Sequence, residues 1–75
     1  MSKCYFRLSL IHDLDPLYCY YDDYNGEYAW SRCLEDADVF ELDQILCIIR
    51  DALKVSALNA IKESAFRISY VYSIT

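Results

Sequence analysis

Four cysteines and one histidine are the residues of this 75-residue chain best suited to metal ligation or nucleophilic catalysis. The cysteines are spaced 15, 14 and 14 residues apart: Cys4, Cys19, Cys33 and Cys47. No two of them form the close pair of a structural zinc site, and His12 has no cysteine next to it in sequence. Two disulfides would require an oxidising compartment, and no export signal opens the chain. We therefore expect four free thiols that behave as small buried hydrophobic side chains in a reducing cytosol.

The single histidine is also the only imidazole available to activate a nucleophile, and a lone histidine is more often a surface or strand-end residue. Two acidic pairs could be read as a metal site: Asp13 with Asp15, and Asp22 with Asp23. They lack the Asp-x-Asp-x-Asp-Gly run of a calcium loop, and aspartate is common in turns. The single glycine of the chain excludes a glycine-rich phosphate loop. The sequence thus predicts no enzyme, no cofactor and no metal site.

Hydrophobic periodicity predicts the elements that would position any site. Residues 4–11 alternate between apolar and polar side chains, and 17–21 and 28–33 form two aromatic-rich strands on either side of Asn25-Gly26, a strong hairpin signal. A final strand over 66–74 places its apolar residues on one predicted face: Phe66, Ile68, Tyr70, Tyr72 and Ile74.

The hairpin has two predicted faces. A two-residue turn sets Tyr21 opposite Trp30, whereas a four-residue loop shifts the partners but keeps every side chain on its face. The face predicted to join the core carries Leu17, Cys19, Tyr21, Tyr28 and Trp30. The face predicted to meet solvent carries Tyr18, Tyr20, Asp22, Tyr24, Glu27 and Ser31.

The segment after the third strand predicts a helix. Asp38-x-x-Glu41 has the pattern of a capping box, and apolar residues then recur at helical spacing from Leu42 to about residue 64, as one helix or as two with a break near 54–56. No stretch reaches the roughly 18 apolar residues that a membrane span needs. The expected architecture is a single α+β domain over 1–75, a two-layer sandwich in the order β-β-β-α-(α)-β, with a predominantly antiparallel sheet of about four strands.

Charge and tyrosine are unevenly distributed. Twelve acidic residues outnumber seven basic ones, and the formal net charge of −5 argues against binding nucleic acid through phosphate neutralisation. Ten of the acidic residues lie between 13 and 43, where Arg32 is the only base and where five of the eight tyrosines also lie. Turn chemistry and solubility can explain the acids, and strand propensity the tyrosines. Tyrosine is also enriched in interfaces, and opposite charges select a partner. On that interpretation the partner-binding residues are Tyr18, Tyr20, Asp22, Asp23, Tyr24, Glu27, Glu35, Asp36 and Asp38.

A run of motifs across residues 17–74 resembles small phage and prophage accessory proteins. These motifs are Gly26-Glu27-Tyr28-Ala29-Trp30, Glu35-Asp36-Ala37, and Phe40 before a helix. In size, acidity and fold class the chain is similar to several anti-CRISPR proteins. That resemblance implies a stoichiometric inhibitor in the host bacterial cytoplasm, which binds a CRISPR–Cas effector complex at a basic, nucleic-acid-binding surface and does not itself bind nucleic acid or a membrane.

Two other functions remain open. One is an interaction or assembly module without an inhibitory role, whose partner is itself or another phage or host protein; the mean hydropathy, slightly above zero, favours apolar surface that a homodimer would cover. A binder of anionic nucleotides would need Lys3, Arg7, Arg32 and Arg67 to converge. Arg7 and Ser9 could meet Arg67 and Ser69 if the first and last strands were neighbours.

Overall fold

A computed structural model describes residues 2–12, 15–55 and 62–75 of the chain. Its elements, in chain order, are β1 (Lys3–His12), β2 (Asp15–Asp22), β3 (Glu27–Ser31), a one-turn 3-10 helix (Leu34–Asp36), α1 (Leu42–Val55), a second one-turn 3-10 helix (Glu63–Ala65) and β4 (Phe66–Ile74). The strands form one antiparallel sheet in the order β3-β2-β1-β4, with α1 on one side. This is the predicted α+β arrangement.

The core lies between α1 and one side of the sheet. Alternation along β1 turns Leu8 and Leu10 toward the helix, and the helical repeat of α1 turns Ile45 and Ile48 toward the sheet. Leu8, Ile45 and Cys19 are the largest fully buried side chains among the described residues. The described core is completed by Phe40 and Phe66, and partly buried residues pack around it: Phe6, Leu17, Trp30, Ile49, Ala52, Leu53 and Ala65.

The β2–β3 hairpin closes on a four-residue loop. Asp22 pairs with Glu27, so Tyr21 lies opposite Tyr28 and not opposite Trp30, and the two-residue register is wrong. The Asp22 carboxylate accepts hydrogen bonds from the side chain of Asn25 and from the backbone N–H groups of Asn25 and Tyr24. Gly26 takes the left-handed position at φ +67°, where other residues would be strained. Both predicted faces are retained, because the two registers differ by an even number of residues.

Beyond the pair Ser9–Tyr18, β1 and β2 separate, and we call the gap between them the fork. β1 and β2 pair directly from Ser9–Tyr18 to His12–Asp15. Further along, the segment 38–40 lies between them. Phe40 exchanges two backbone hydrogen bonds of 2.8 Å with Phe6 of β1, and the N–H of Asp38 donates to the carbonyl of Cys19 in β2 at 3.2 Å. A chain segment from outside the named strands therefore fills the gap between two neighbouring strands.

The predicted capping box is wrong. The Asp38 carboxylate does not cap the helix but accepts the backbone N–H of Tyr21 at 2.7 Å, inside the fork. α1 begins at Leu42, and the cap belongs to Glu41, whose N–H donates to Oε1 of Gln44 at 3.0 Å. The observed cap lies three residues after the predicted one. Asp38 is not available as a cap because its carboxylate accepts the N–H of Tyr21, which faces the fork.

A β-bulge changes the face of the last residues of β4. Phe6 pairs with Tyr70 but Tyr5 pairs with Tyr72, so Val71 is the extra residue of β4. Tyr72 consequently lies on the side of the sheet away from α1, where its ring stacks on that of Tyr5 with centroids 4.9 Å apart. The prediction of one apolar face for β4 is correct up to Tyr70 and wrong for Tyr72 and Ile74.

Whether the helical region is one helix or two falls on residues 56–61, outside the described residues, and 63–65 form a 3-10 helix. Across the described residues, no helix has the length and apolar character needed to cross a membrane.

Candidate partner-binding site

The predicted partner-binding residues fall into three places. Tyr18 and Tyr20 are half-buried on the side of the sheet away from α1, which we call the open face. The second group occupies the hairpin loop and its flanks: Asp22, Asp23, Tyr24 and Glu27. The third follows β3 toward the fork: Glu35, Asp36 and Asp38. Strand pairing thus puts Asp22 and Glu27 on the open face with Tyr18 and Tyr20, whereas the other predicted residues lie in the hairpin loop or beyond β3.

Three of the acidic side chains stabilise the fold. Asp22 holds the hairpin loop, and the hydrogen bonds that it accepts, led by the one from the Asn25 side chain, lower the pKa of its carboxyl. Asp38 accepts the N–H of Tyr21 in the fork. Asp36 accepts the hydroxyl of Ser31 at 2.7 Å, which fixes the 3-10 helix to the end of β3.

The other acidic side chains of this region are exposed. Asp23, Glu27 and Glu35 form no side-chain hydrogen bond or ion pair with any other described residue. Between them, Tyr24 projects from the loop with 96% of its surface exposed. These residues are free to meet a partner without first breaking an internal contact.

A groove of about 500 Å³ opens between the hairpin and the start of α1. Its lining residues are Tyr21, Tyr28, Asp38, Val39, Phe40 and Gln44. The rings of Tyr21 and Tyr28 meet edge to face at 5.3 Å, and Tyr28 in turn meets Phe40 at 5.7 Å. Both tyrosines remain 42% exposed.

Sequence reasoning missed this groove. It placed Tyr21 and Tyr28 on the correct face but assigned them to the core, whereas at the hairpin end that face is only partly covered. Alternation shows which way a side chain points but not how far a helix extends over the sheet. No local signal in the sequence indicates the groove, because it depends on the position of the segment 38–40 between β1 and β2.

The groove has the chemistry of a site for an organic cation. Electron-rich ring faces attract ammonium and guanidinium groups, and a carboxylate beside them supplies the opposite charge. One carboxylate oxygen of Asp38 bonds to Tyr21, and the exposed side chain leaves the second oxygen available. An arginine or lysine side chain from a partner fits these groups.

The basic residues only partly meet the requirement of an anionic-nucleotide site, which is that their side chains converge. β1 and β4 are neighbours, and cross-strand pairing places Arg7 opposite Ser69 and Ser9 opposite Arg67. However, the Arg67 guanidinium donates to the carbonyls of Ser64 and Phe66. Lys3 pairs with Glu41, 3.6 Å between Nζ and the carboxylate. Arg7, Ser9, Arg67 and Ser69 are therefore neighbours on β1 and β4. The guanidinium of Arg67, however, bonds to backbone carbonyls close to it in sequence.

The cysteines are only partly as predicted. All four are free, but Cys19 alone is buried, and the prediction of burial is wrong for Cys4, Cys33 and Cys47. Among the described residues, no group of three cysteine, histidine or acidic side chains could hold a metal ion. Burial in the core, with a smaller contribution from the negative charge of Asp38, raises the pKa of the Cys19 thiol from 9.0 to about 12.

The buried thiol makes stability depend on alkaline pH. The unfolded chain releases the Cys19 proton near its ordinary pKa, while the folded chain holds it to about 12. The folded state is therefore favoured fully below about pH 9, and this contribution is lost as the pH rises toward 12. We expect the difference in unfolding free energy between the wild type and Cys19→Ala to shrink as the pH rises from about 9 to about 10.5, as measured by urea denaturation.

Alkylation of the native protein provides an independent check. A thiol reagent should label the exposed Cys33 and Cys47 and spare Cys19 until the chain unfolds. Labelling of Cys19 at the rate of the exposed thiols in the native state would contradict its assigned burial.

Fold and site together define a two-layer α+β domain with an acidic, aromatic groove at one end of its sheet. Comparisons with protein-family models, with curated proteins and with solved structures find no match for this chain.

Proposed function

We propose that this protein is a non-enzymatic inhibitor that binds a basic surface of a protein partner through its hairpin end and the adjoining groove. The observation that carries the proposal is the groove itself, where the rings of Tyr21 and Tyr28 lie beside the carboxylate of Asp38. Such a site takes an arginine or lysine side chain.

The surroundings of the groove favour a partner with many basic residues. Asp23, Glu27 and Glu35 are exposed without described internal partners, and their charges attract a basic surface and orient it. Tyr24, at the tip of the loop, offers a large ring at a small cost in side-chain entropy. The groove and Tyr24 then act as anchors, and the carboxylates select the partner.

A nucleic-acid-handling complex is the partner class that best fits this chemistry. Its binding channels are lined with lysine and arginine side chains that normally contact phosphates. Carboxylates on a hairpin whose loop is fixed by hydrogen bonds to Asp22 can occupy the positions of those phosphates and block the channel. We therefore place the protein in the bacterial cytoplasm as an anti-defence protein of phage type, with a CRISPR–Cas effector complex as the proposed target.

Capture from a bacterial lysate, with matched charge variants, tests the proposal. The binding variant carries Asp23→Asn, Glu35→Gln and Asp38→Asn, and the amide oxygen at position 38 can still accept the Tyr21 N–H. A nucleic-acid-handling complex should be captured by the wild type and released steeply by salt. Purified, that complex should bind the variant at least about tenfold more weakly, a loss of roughly 1.4 kcal/mol.

The control variant has the same net charge but keeps the groove and the hairpin end intact. It carries Asp15→Asn, Asp43→Asn and Asp51→Asn, which neutralise exposed carboxylates elsewhere. We expect it to bind like the wild type. Equal capture by all three proteins, or equal weakening in both variants, would show that total charge and not this site determines binding, and the proposal would fail.

A further inference from the structure

The open face of the sheet is a second surface, opposite the groove. α1 covers only the other side, and no other described helix of more than one turn exists to cover this one. Strand pairing places seven aromatic, apolar and serine side chains of the two central strands and β4 on it: Tyr5, Ser9, Ile11, Tyr18, Tyr20, Ser69 and Tyr72.

Much of this face is apolar surface in contact with water. Tyr5 and Tyr72 stack across β1 and β4, which makes a flat aromatic platform. Ile11 is 41% exposed, and Ile74 at the end of β4 is more exposed still. Sheet faces of this composition are normally covered by a second layer.

Arg7 lies in the middle of the open face, and its Nε atom has no acceptor among the described residues. The residue is half-buried, and its Nε atom is inaccessible to water yet forms no hydrogen bond within the part of the chain that the structure describes. Within the described ranges no carboxylate forms an ion pair with it. A buried guanidinium donor without an acceptor is costly, so this position favours the arrival of a negatively charged group from outside.

Charge is divided laterally across the open face. The β1–β4 half carries Arg7 and Arg67, while the β2–β3 half carries Asp22 and Glu27, with Asp36 held against Ser31 at its edge. A two-fold axis parallel to the strands would lay the basic half of one copy over the acidic half of another. The face is therefore complementary to itself.

We propose that the open face is a homodimer interface, in which two sheets pack face to face and Arg7 of each copy meets the acidic half of the other. The dimer leaves the groove accessible, since the groove lies on the helix side of the sheet, and it shares with the proposed binding surface only Asp22 and Glu27. It does not depend on the proposed function.

Molecular mass measured by light scattering over a wide concentration range tests this interface. We expect twice the chain mass of 8.8 kDa for the wild type. Arg7→Glu should raise the dimer dissociation constant at least about tenfold, because it places acid over acid. Adding Glu27→Arg to Arg7→Glu should restore the dimer, which mere loss of folding could not do.

Two isoleucines provide a matched pair that does not alter the basic residues. Ile11 and Ile68 are 41% and 42% exposed, but Ile68 pairs with Leu8 and so lies on the helix side. Ile11→Asp should yield monomers and Ile68→Asp should remain dimeric, each with a native circular dichroism spectrum. The proposal would be overturned by a wild type that is monomeric at every concentration, or by dissociation of Ile68→Asp alone. It would fail equally if the open face of the monomer were covered by another protein or by a small anion.

Discussion

Replacing Ile45 with alanine is expected to lower the free energy of unfolding by about 3 to 4 kcal/mol. Ile45 is fully buried, and it belongs to the same cluster as Leu8 and Cys19 on the helix side of the sheet. Truncation removes apolar contacts and leaves a cavity that the surrounding strands cannot fill. A domain of this length has a total stability of only about 4 to 11 kcal/mol, so the variant should lose from about a quarter to nearly all of it.

The neighbouring residue provides the control for this measurement. Leu46 is 54% exposed, and Leu46→Ala should change the unfolding free energy by less than about 1 kcal/mol in the same urea titration. Equal losses for the two variants would mean that α1 presents a different side to the sheet. The comparison therefore tests the orientation of the helix as well as the value of one contact.

Local periodicity was sufficient to predict the fold class. The four strands and α1 each carry their own pattern, and alternation assigned Leu8, Cys19 and Trp30 to the correct side of the sheet. That assignment withstood an error in the hairpin loop, because a shift of two residues preserves the face. The order of the elements and the hairpin signal of Asn25-Gly26 then favoured a mainly antiparallel sheet.

The errors arose where a residue is controlled by a distant part of the chain. Asp38 satisfies the N–H of Tyr21, seventeen residues earlier, so its local capping pattern was misleading. The bulge that moves Tyr72 depends on how β4 meets Tyr5 at the opposite end of the chain. Cys33 lies between β3 and the first 3-10 helix and is exposed, although its residue type predicted burial. None of these follows from periodicity within one segment.

The candidate site was predicted in composition but not in shape. The acidic hairpin end was recognised from the clustering of Asp23, Tyr24 and Glu27, which is a local property. The groove was missed because it depends on the fork, where the segment 38–40 enters the sheet and sets Asp38 beside Tyr21. The segment 38–40 belongs to three parts of the molecule at once: Phe40 is in the core, α1 begins two residues after it, and all three residues line the groove.

Phe40 is the residue on which this connection depends most. It is 4% exposed, it exchanges two backbone hydrogen bonds with Phe6, and its ring supports Tyr28 in the groove. We expect Phe40→Ala to reduce the unfolding free energy by about 3 to 5 kcal/mol, whereas Phe40→Leu, which keeps most of the buried volume, should cost much less.

Amide hydrogen exchange distinguishes loss of the fork from general loss of stability. In a Phe40→Ala protein that is still folded, the N–H of Phe6 should lose protection, because its acceptor is the carbonyl of Phe40 at 2.8 Å. The N–H groups that join β2 to β3 should keep their protection relative to global unfolding. If Phe6 stays as protected as those groups, or if Leu and Ala at position 40 are equally damaging, the inserted segment is not what holds β1 and β2 together. With the fork intact, Asp38 and Tyr28 keep their places, and the groove is a consequence of how the sheet closes.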